Sequence, residues 1–167
     1  MEGTEAPIPV DINNKFNKLL ENKEYEFKLD NDIYLLKMEL YSNGLISLNI
    51  RQINNLFFYY YYKEYSYDNL INLLFLAKEQ YDNILKIYKF CDKAISKNRV
   101  KLIKTNEKQM TLLLKNIIEF EEIDCKLDLN EMEITNEEML KILFNEIREI
   151  KIKGISNNNY NEEEKDN

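Results

Sequence analysis

The side chains that most often carry out catalysis or bind metals are scarce in this sequence. It contains no histidine, so the commonest general base and nitrogen ligand is missing. Cys91 and Cys125 are too far apart along the chain to have the spacing of zinc ligands. The three glycines are scattered, which excludes the glycine-rich loops that bind nucleotide phosphates. We therefore expect no catalytic residue, no cofactor-binding residue and no metal ligand, and we predict that the protein is not an enzyme.

Paired carboxylates are the remaining candidates for acid–base chemistry. Glu121 and Glu122 lie at a predicted turn, and Glu137 and Glu138 lie in the first turn of a predicted helix. Carboxylates in a first helical turn interact favourably with the positive end of the helix dipole. Structural and solvating roles account for both pairs, and a hydrolase that uses carboxylates alone has no other support in the sequence.

An aromatic run at residues 57–67 has the composition of a core or of a binding surface. Eight of its side chains are Phe or Tyr, and each buried ring removes roughly 150–250 Å² from water. We expect the run to be a strand that contributes mainly to the core. The alternative is a protein-binding row, for which we predict Tyr59, Tyr61 and Tyr65 as contacts, with the opposite row of the same strand as the second choice. A platform that stacks single-stranded bases also needs a positive groove, and Lys63 alone does not form one.

The charge balance argues against nucleic acid as a partner. The net charge is −7, whereas a phosphate backbone is bound by clustered Lys and Arg side chains. The longest basic cluster, residues 97–101 with Lys104, is small, and a solvated turn between a helix and a strand accounts for it. We therefore expect a protein partner or a second copy of this chain, and we do not expect nucleic acid.

Cysteine usage and the amino terminus predict where the protein resides. Two lone cysteines on apolar patterns are typical of buried thiols in a reducing compartment. Residues 1–5 are acidic, unlike a secretory or mitochondrial leader, and no apolar run approaches the roughly 18 residues that cross a bilayer. We expect a soluble intracellular protein, cytoplasmic or nuclear, that is neither secreted nor inserted in a membrane.

The alternation of apolar and polar residues predicts two blocks of strands separated by a helical hairpin. The predicted fold is α+β: an antiparallel β-sandwich or barrel-like sheet with an inserted two-helix hairpin and a C-terminal helix. A short amphipathic turn is expected at 16–20, before the first strand at 25–29. The predicted divisions are a flexible N-terminal arm at 1–14, a β-sandwich body at 15–134 with the hairpin at about 67–97, a C-terminal helix at 135–153, and a disordered acidic tail at 154–167.

The predicted C-terminal helix combines a start signal with an apolar seam. Thr135 followed by Glu138 forms a capping box, and we expect Gly154 to end the helix. Its apolar residues recur at heptad spacing over about two heptads, too few to hold a coiled coil alone. We predict self-association or partner contact through this seam, with packing against the chain's own domain as the alternative. The seam residues are Leu140, Leu143, Ile147 and Ile150.

The order of these elements resembles the head domain shared by the ligase scaffold of DNA end-joining and the centriolar cartwheel protein. The resemblance spans residues 25–152 and is clearest from Val100, through the turn at Asn106 and Glu107, to the helix at Thr135. It implies a seven-stranded β-sandwich with a helix-turn-helix insert, and a helix that leaves the sandwich to form a dimeric coiled coil. The resemblance rests on the order and lengths of the helices and strands, so no functional residue is carried over from that family.

Together these features predict a non-catalytic interaction or scaffold module that self-associates, as a homodimer, or docks a protein partner. Asn, Lys, Ile and Tyr are used heavily throughout the chain. This bias, typical of an AT-rich coding sequence, motivates the alternative hypothesis of a small viral or parasite factor that binds a host protein.

Overall fold

The computed structural model describes residues 17–54, 60–132 and 135–163. Within these ranges the chain forms seven strands and three helices. The strands are β1 (Leu19–Leu29), β2 (Asp32–Tyr41), β3 (Ile46–Gln52), β4 (Tyr60–Tyr65), β5 (Val100–Asn106), β6 (Gln109–Ile118) and β7 (Glu121–Glu131). The helices are α1 (Tyr67–Leu73), α2 (Ile84–Ser96) and α3 (Asn136–Glu163).

The strands of the described ranges form one antiparallel sheet with the order β1-β2-β3-β4-β7-β6-β5. Hairpins build two meanders, β1 to β4 and β5 to β7, and a ladder between β4 and β7 joins them. The sheet curls so far that its two outermost strands, β1 and β5, contact each other. The predicted α+β fold, with a two-helix insertion and a C-terminal helix, is therefore confirmed.

The turns of the first meander form where the sequence supplies residues that tolerate positive φ. Gly44, between β2 and β3, has a φ of 82°, and the Asn43 side chain accepts a hydrogen bond from the Leu45 amide at 3.1 Å. Asp30, between β1 and β2, has a φ of 55°. β1 begins at Leu19, so a strand replaces the short amphipathic turn predicted at 16–20. The sequence predicted this strand only at 25–29, where apolar and polar residues alternate, but its pairing with β2 begins six residues earlier.

The core lies on the inner face of the curled sheet and beneath the two inserted helices. Alternate residues of β2, β3, β6 and β7 are buried, as the period-two patterns predict. Burying a Leu, Ile or Met side chain fully stabilises the folded state by about 1.5–3 kcal/mol relative to leaving it exposed. The most deeply buried large side chains are Tyr61, Tyr88, Leu36, Met38, Leu40, Ile46, Ile50, Leu70, Leu74, Ile87, Met110 and Leu129.

The two inserted helices differ in how well their sequence patterns predict them. α2 buries Ile87, Tyr88, Cys91 and Ala94, as its seam predicts. α1 ends at Leu73, although its apolar stripe continues to residue 77.

Helix α1 ends early because the backbone reverses direction after Leu74. Phe75 takes the left-handed conformation, with a φ of 53°. The carbonyl of Leu74 then accepts a hydrogen bond from the Asn116 side chain of β6 at 2.7 Å. A side chain of the sheet thus caps the end of the helix, which local periodicity cannot reveal.

The junction between the two meanders is short. Among the described residues, only Tyr61–Glu131 and Tyr62–Asn130 are paired between β4 and β7, with one further bond from the Met132 amide to the Tyr60 carbonyl at 2.9 Å. Beyond this point the Tyr65 hydroxyl spans the gap and donates to the Asp128 carbonyl at 2.6 Å. The Tyr65 side chain therefore connects β4 to β7 at a point where the two backbones are not paired.

Helix α3 belongs to a compact unit that is separate from the sheet body. The predicted capping box is present: Thr135 Oγ1 accepts from the Glu138 amide, and Glu138 Oε2 accepts from the Thr135 amide, both at 3.2 Å. The helix does not end at Gly154 but continues to Glu163, over part of the predicted disordered tail. Glycine ends a helix where it takes a positive φ, and Gly154 does not take one.

Replacing Tyr65 with Phe tests the junction between the meanders. Tyr65→Phe keeps the buried ring but removes the bond to the Asp128 carbonyl, so we expect the free energy of unfolding to fall by about 1–2 kcal/mol. Tyr62→Phe, on the outer face of the same strand, is the control and should change stability by no more than about 0.5 kcal/mol. Urea unfolding measures both, and equal effects would contradict a special role for Tyr65.

Candidate interaction surfaces

The predicted tyrosine row of β4 lies inside the protein. Tyr61 and Tyr65 are only 1% and 5% exposed, and their hydroxyls donate to the carbonyls of Glu107 and Asp128. The prediction of these two residues as partner contacts is therefore corrected: pairing with β3 points them into the core. Tyr59, the third residue of the predicted row, lies outside the described residues.

The opposite row of β4 faces outward and carries aromatic rings among carboxylates. The rings of Tyr60 and Tyr62 stack with centroids 6.3 Å apart, and the Tyr62 hydroxyl donates to Glu64. Nearby on β2, the Tyr41 hydroxyl donates to Glu39 at 2.8 Å. Burial and the bond to Glu39 raise the pKa of Tyr41 to about 12. Cations share this face: Lys37 lies 3.6 Å from Glu39, and Arg51 is the cross-strand partner of Tyr60. The charges are therefore mixed, unlike the positive groove that binds single-stranded nucleic acid.

A second polar cluster fastens α2 to the edge of the sheet. Asp92 of α2 accepts from the Lys23 ammonium at 2.5 Å and from the Tyr25 hydroxyl at 2.6 Å, both on β1. Burial would raise the pKa of the Asp92 carboxyl, but these hydrogen bonds outweigh it and hold the pKa below its usual range. Burial and the bond to Asp92 raise the pKa of Tyr25. The cluster is a structural clamp with a charged carboxylate at its centre.

The two cysteines are free, buried thiols. Burial, reinforced by the nearby Asp92 carboxylate, raises the pKa of Cys91 to about 12. Burial likewise raises the pKa of Cys125, with a contribution from Asp124. A thiol reacts as its thiolate, so these side chains are inert near neutral pH. The prediction that both cysteines act as small buried hydrophobes is confirmed.

A basic pocket of about 180 Å³ opens between α2, the turn that precedes β5, and β6. One wall is aromatic: the rings of Tyr81 and Phe90 meet edge to face, with centroids 5.5 Å apart. The remaining walls are mainly basic. The pocket is lined by Tyr81, Phe90, Lys93, Ala94, Lys97, Arg99, Lys115 and Asn116. The cluster at 97–101 partly predicted it, but the contributions of Lys93 and Lys115 depend on the tertiary structure.

The tip of the β6–β7 hairpin presents an aromatic ring to solvent. Phe120 is fully exposed, at 103% of its reference area. Glu119 and Phe120 have φ values of 51° and 70° and form a two-residue turn. Such turns usually contain Asn-Gly. The sequence predicted a turn nearby, at Glu121 and Glu122, but these two residues begin β7 and the turn precedes them. The exposed ring is a surface feature that sequence reasoning missed.

The predicted seam of α3 presents apolar side chains at the surface of the helix. Leu140, Ile147 and Ile150 are 54%, 49% and 69% exposed, and Leu143 is half-buried. Phe144, beside the seam, is also exposed. Because Gly154 occupies the next heptad position, the seam ends there even though the helix continues. From Leu140 to Ile150 the helix thus carries an apolar strip about three turns long by its rise per residue.

Within the described part of the chain, no group of three or more His, Cys, Asp or Glu side chains is arranged to hold a metal ion. Within the same part, none of the helices combines the length and the apolar character required to cross a bilayer.

Comparison with known proteins supports the fold. The structure is similar to the crystal structure of the head domain of human CCDC61, with a TM-score of 0.50 at 11% sequence identity. The match covers 68% of this chain and 98% of that domain. No family model and no curated protein matches the sequence. The predicted resemblance to the head-domain superfamily, to which this solved domain is related, is confirmed as a likeness of fold.

The Asp92 clamp predicts how stability depends on pH. The folded-state pKa of Asp92 is depressed, so its stabilising contribution is present above the unfolded pKa of about 3.9 and is lost as the pH falls through the folded pKa. We expect Asp92→Asn to lower the free energy of unfolding by about 1 kcal/mol at pH 7. Below about pH 3 the difference from the unmodified protein should shrink.

Urea unfolding across this pH range measures the effect, and Asp82→Asn is the control. Asp82 also pairs with a lysine, Lys86, at 2.7 Å, but this pair lies in solvent and should matter little. A loss for Asp92→Asn that is the same at every pH would show that the carboxylate charge is not what stabilises the clamp.

Proposed function

We propose that this chain is a non-catalytic scaffold module that self-associates through the seam of helix α3. The observation that carries the proposal is the row of exposed apolar side chains at heptad spacing on that helix. Isolated exposed leucines are ordinary on protein surfaces, but a periodic strip of them is typical of a helix that pairs with another. The likeness to a solved head domain supports the class of module without identifying a partner.

The charges beside the seam favour a parallel pair of helices. If Leu140 and Ile147 take the a positions of a heptad and Leu143 and Ile150 the d positions, then Glu146 is at g and Lys151 at e. In a parallel pair, a g residue of one helix lies opposite the following e residue of the other. Glu146 of one copy would then face Lys151 of the second copy, with opposite charge.

The same register places apolar residues opposite each other one heptad earlier. Met139 is at g and Phe144 at e, so Met139 of one copy would face Phe144 of the second. The exposed ring of Phe144 is thereby covered in the proposed pair, together with the seam beside it. Two heptads bury a small area, so we expect weak, concentration-dependent association.

Charged substitutions in the seam test the proposal. We expect the unmodified chain to dimerise measurably at about 100 µM, a concentration at which weak contacts become visible. The double variant Leu143→Asp with Ile147→Asp places two carboxylates in the seam and should be monomeric. The matched control is Asn145→Asp with Ile152→Asp, on the opposite face of the helix, and should still dimerise.

Light scattering after size exclusion measures the mass, and circular dichroism checks that each variant is folded. A monomeric unmodified chain at this concentration, or a seam variant that still dimerises, would overturn the proposal. Since Leu143 is half-buried, a variant that loses helical signal is replaced by Ile147→Asp with Ile150→Asp, both of which change exposed residues.

A charge exchange tests the parallel arrangement separately. Glu146→Lys would place lysines opposite each other in a parallel pair, so we expect the dimer to weaken by about 0.5–1 kcal/mol. Adding Lys151→Glu restores opposite charges and should recover the affinity. Sedimentation equilibrium at low salt measures both variants. Failure of the second substitution to rescue the first would rule out the parallel register while leaving self-association intact.

A further inference from the structure

We infer that the basic pocket binds a phosphoryl anion, either free or attached to an aromatic ring. The pocket is the recess described above, between α2, the turn before β5, and β6, with basic side chains around an aromatic wall. It lies wholly in the sheet body, so its ligand is independent of the proposed seam on α3.

The basic side chains reach the pocket from different elements of the fold. Lys93 and Lys97 lie in the last turn and at the C-cap of α2, Arg99 directly precedes β5, and Lys115 lies in β6. From the sequence alone, only residues 97–101 formed a cluster, and a solvated turn accounted for it. The tertiary structure adds a cation from the helix and one from a neighbouring strand.

These cations are poorly compensated by the protein itself. Across the described residues, no carboxylate pairs with Lys93, Lys97 or Arg99. Lys115 is 3.6 Å from Glu122, a long and exposed contact. The chain as a whole carries a net charge of −7, so acidic side chains are plentiful elsewhere. Uncompensated cations around one recess repel one another, and a bound anion would relieve that repulsion.

The dipole of α2 accounts for only part of the cluster. Cations are favoured near the C-terminal end of a helix, which suffices to explain Lys93 and Lys97. It does not explain Arg99 and Lys115, which come from the sheet side of the pocket. Convergence from both sides is therefore the feature that indicates a ligand.

The size and chemistry of the pocket favour a phosphoryl group over a peptide carboxylate. A volume of about 180 Å³ is well above the roughly 10–15 Å³ that a single water needs on the same measure, so the pocket has room for one compact ligand. A phosphoryl dianion presents several oxygens to an Arg fork and to Lys ammonium groups. A single carboxylate would compensate only one of the four cations. The rings of Tyr81 and Phe90 provide an apolar wall against which an aromatic body can pack.

Titration of the ¹⁵N-labelled chain tests the site with two probes, inorganic phosphate and phenyl phosphate. We expect binding with a Kd of about 1 mM or tighter at low salt. Lys97→Gln with Arg99→Gln should weaken it at least about tenfold. The control, Lys89→Gln with Lys101→Gln, removes the same charge from α2 and β5 outside the pocket and should retain the affinity within about twofold.

The two probes distinguish the source of the phosphoryl group. Tighter binding of phenyl phosphate would support a ligand with an aromatic body, and equal binding would support a free anion; both outcomes support the site. Absence of binding, or equal losses in the two double variants, would overturn the inference. It would also be overturned if a peptide with the acidic hairpin sequence of residues 119–122 bound more tightly than phenyl phosphate, because the pocket would then dock protein.

Discussion

The ladder between β4 and β7 is the connection on which the rest of the sheet depends. Each meander forms from neighbouring hairpins, but the two inserted helices separate the meanders along the chain. The pairing of β4 with β7 joins the two halves into one sheet. In the described part of the chain it consists of two residue pairs and one flanking backbone bond. So short a ladder would leave carbonyl groups unpaired at the junction without further donors.

Tyrosine meets this requirement and gives a physical reason for part of the aromatic run. A buried Tyr fills the core with its ring while its hydroxyl reaches a polar group at the edge of the core. Tyr61 donates to the Glu107 carbonyl and Tyr65 to the Asp128 carbonyl, each across the junction. Phenylalanine would supply the same apolar area but not the hydrogen bonds. The surplus of tyrosine in β4 is therefore partly structural.

The remaining surface divides into regions of different chemistry. The outer face of β2 to β4 combines tyrosine rings with Glu39 and Glu64, whereas the pocket beside α2 is basic. The seam of α3 is apolar. A net charge of −7 therefore conceals a local excess of positive charge. The proposed scaffold role depends on the apolar seam, whereas the inferred anion site depends on the basic pocket.

The sequence by itself determined the elements whose signals are local. Alternation in 123–129, the turn at Asn43 and Gly44, the seam of α2 and the capping box at Thr135 all reappear in the structure, because each depends on residues close together in the chain. Only the tertiary structure decided which face of β4 is buried, since both of its faces are aromatic and pairing with β3 makes the choice. It also decided the end of α1, the exposure of Phe120 and the convergence of four cations on one pocket. These features arise from contacts between distant segments, which no local pattern records.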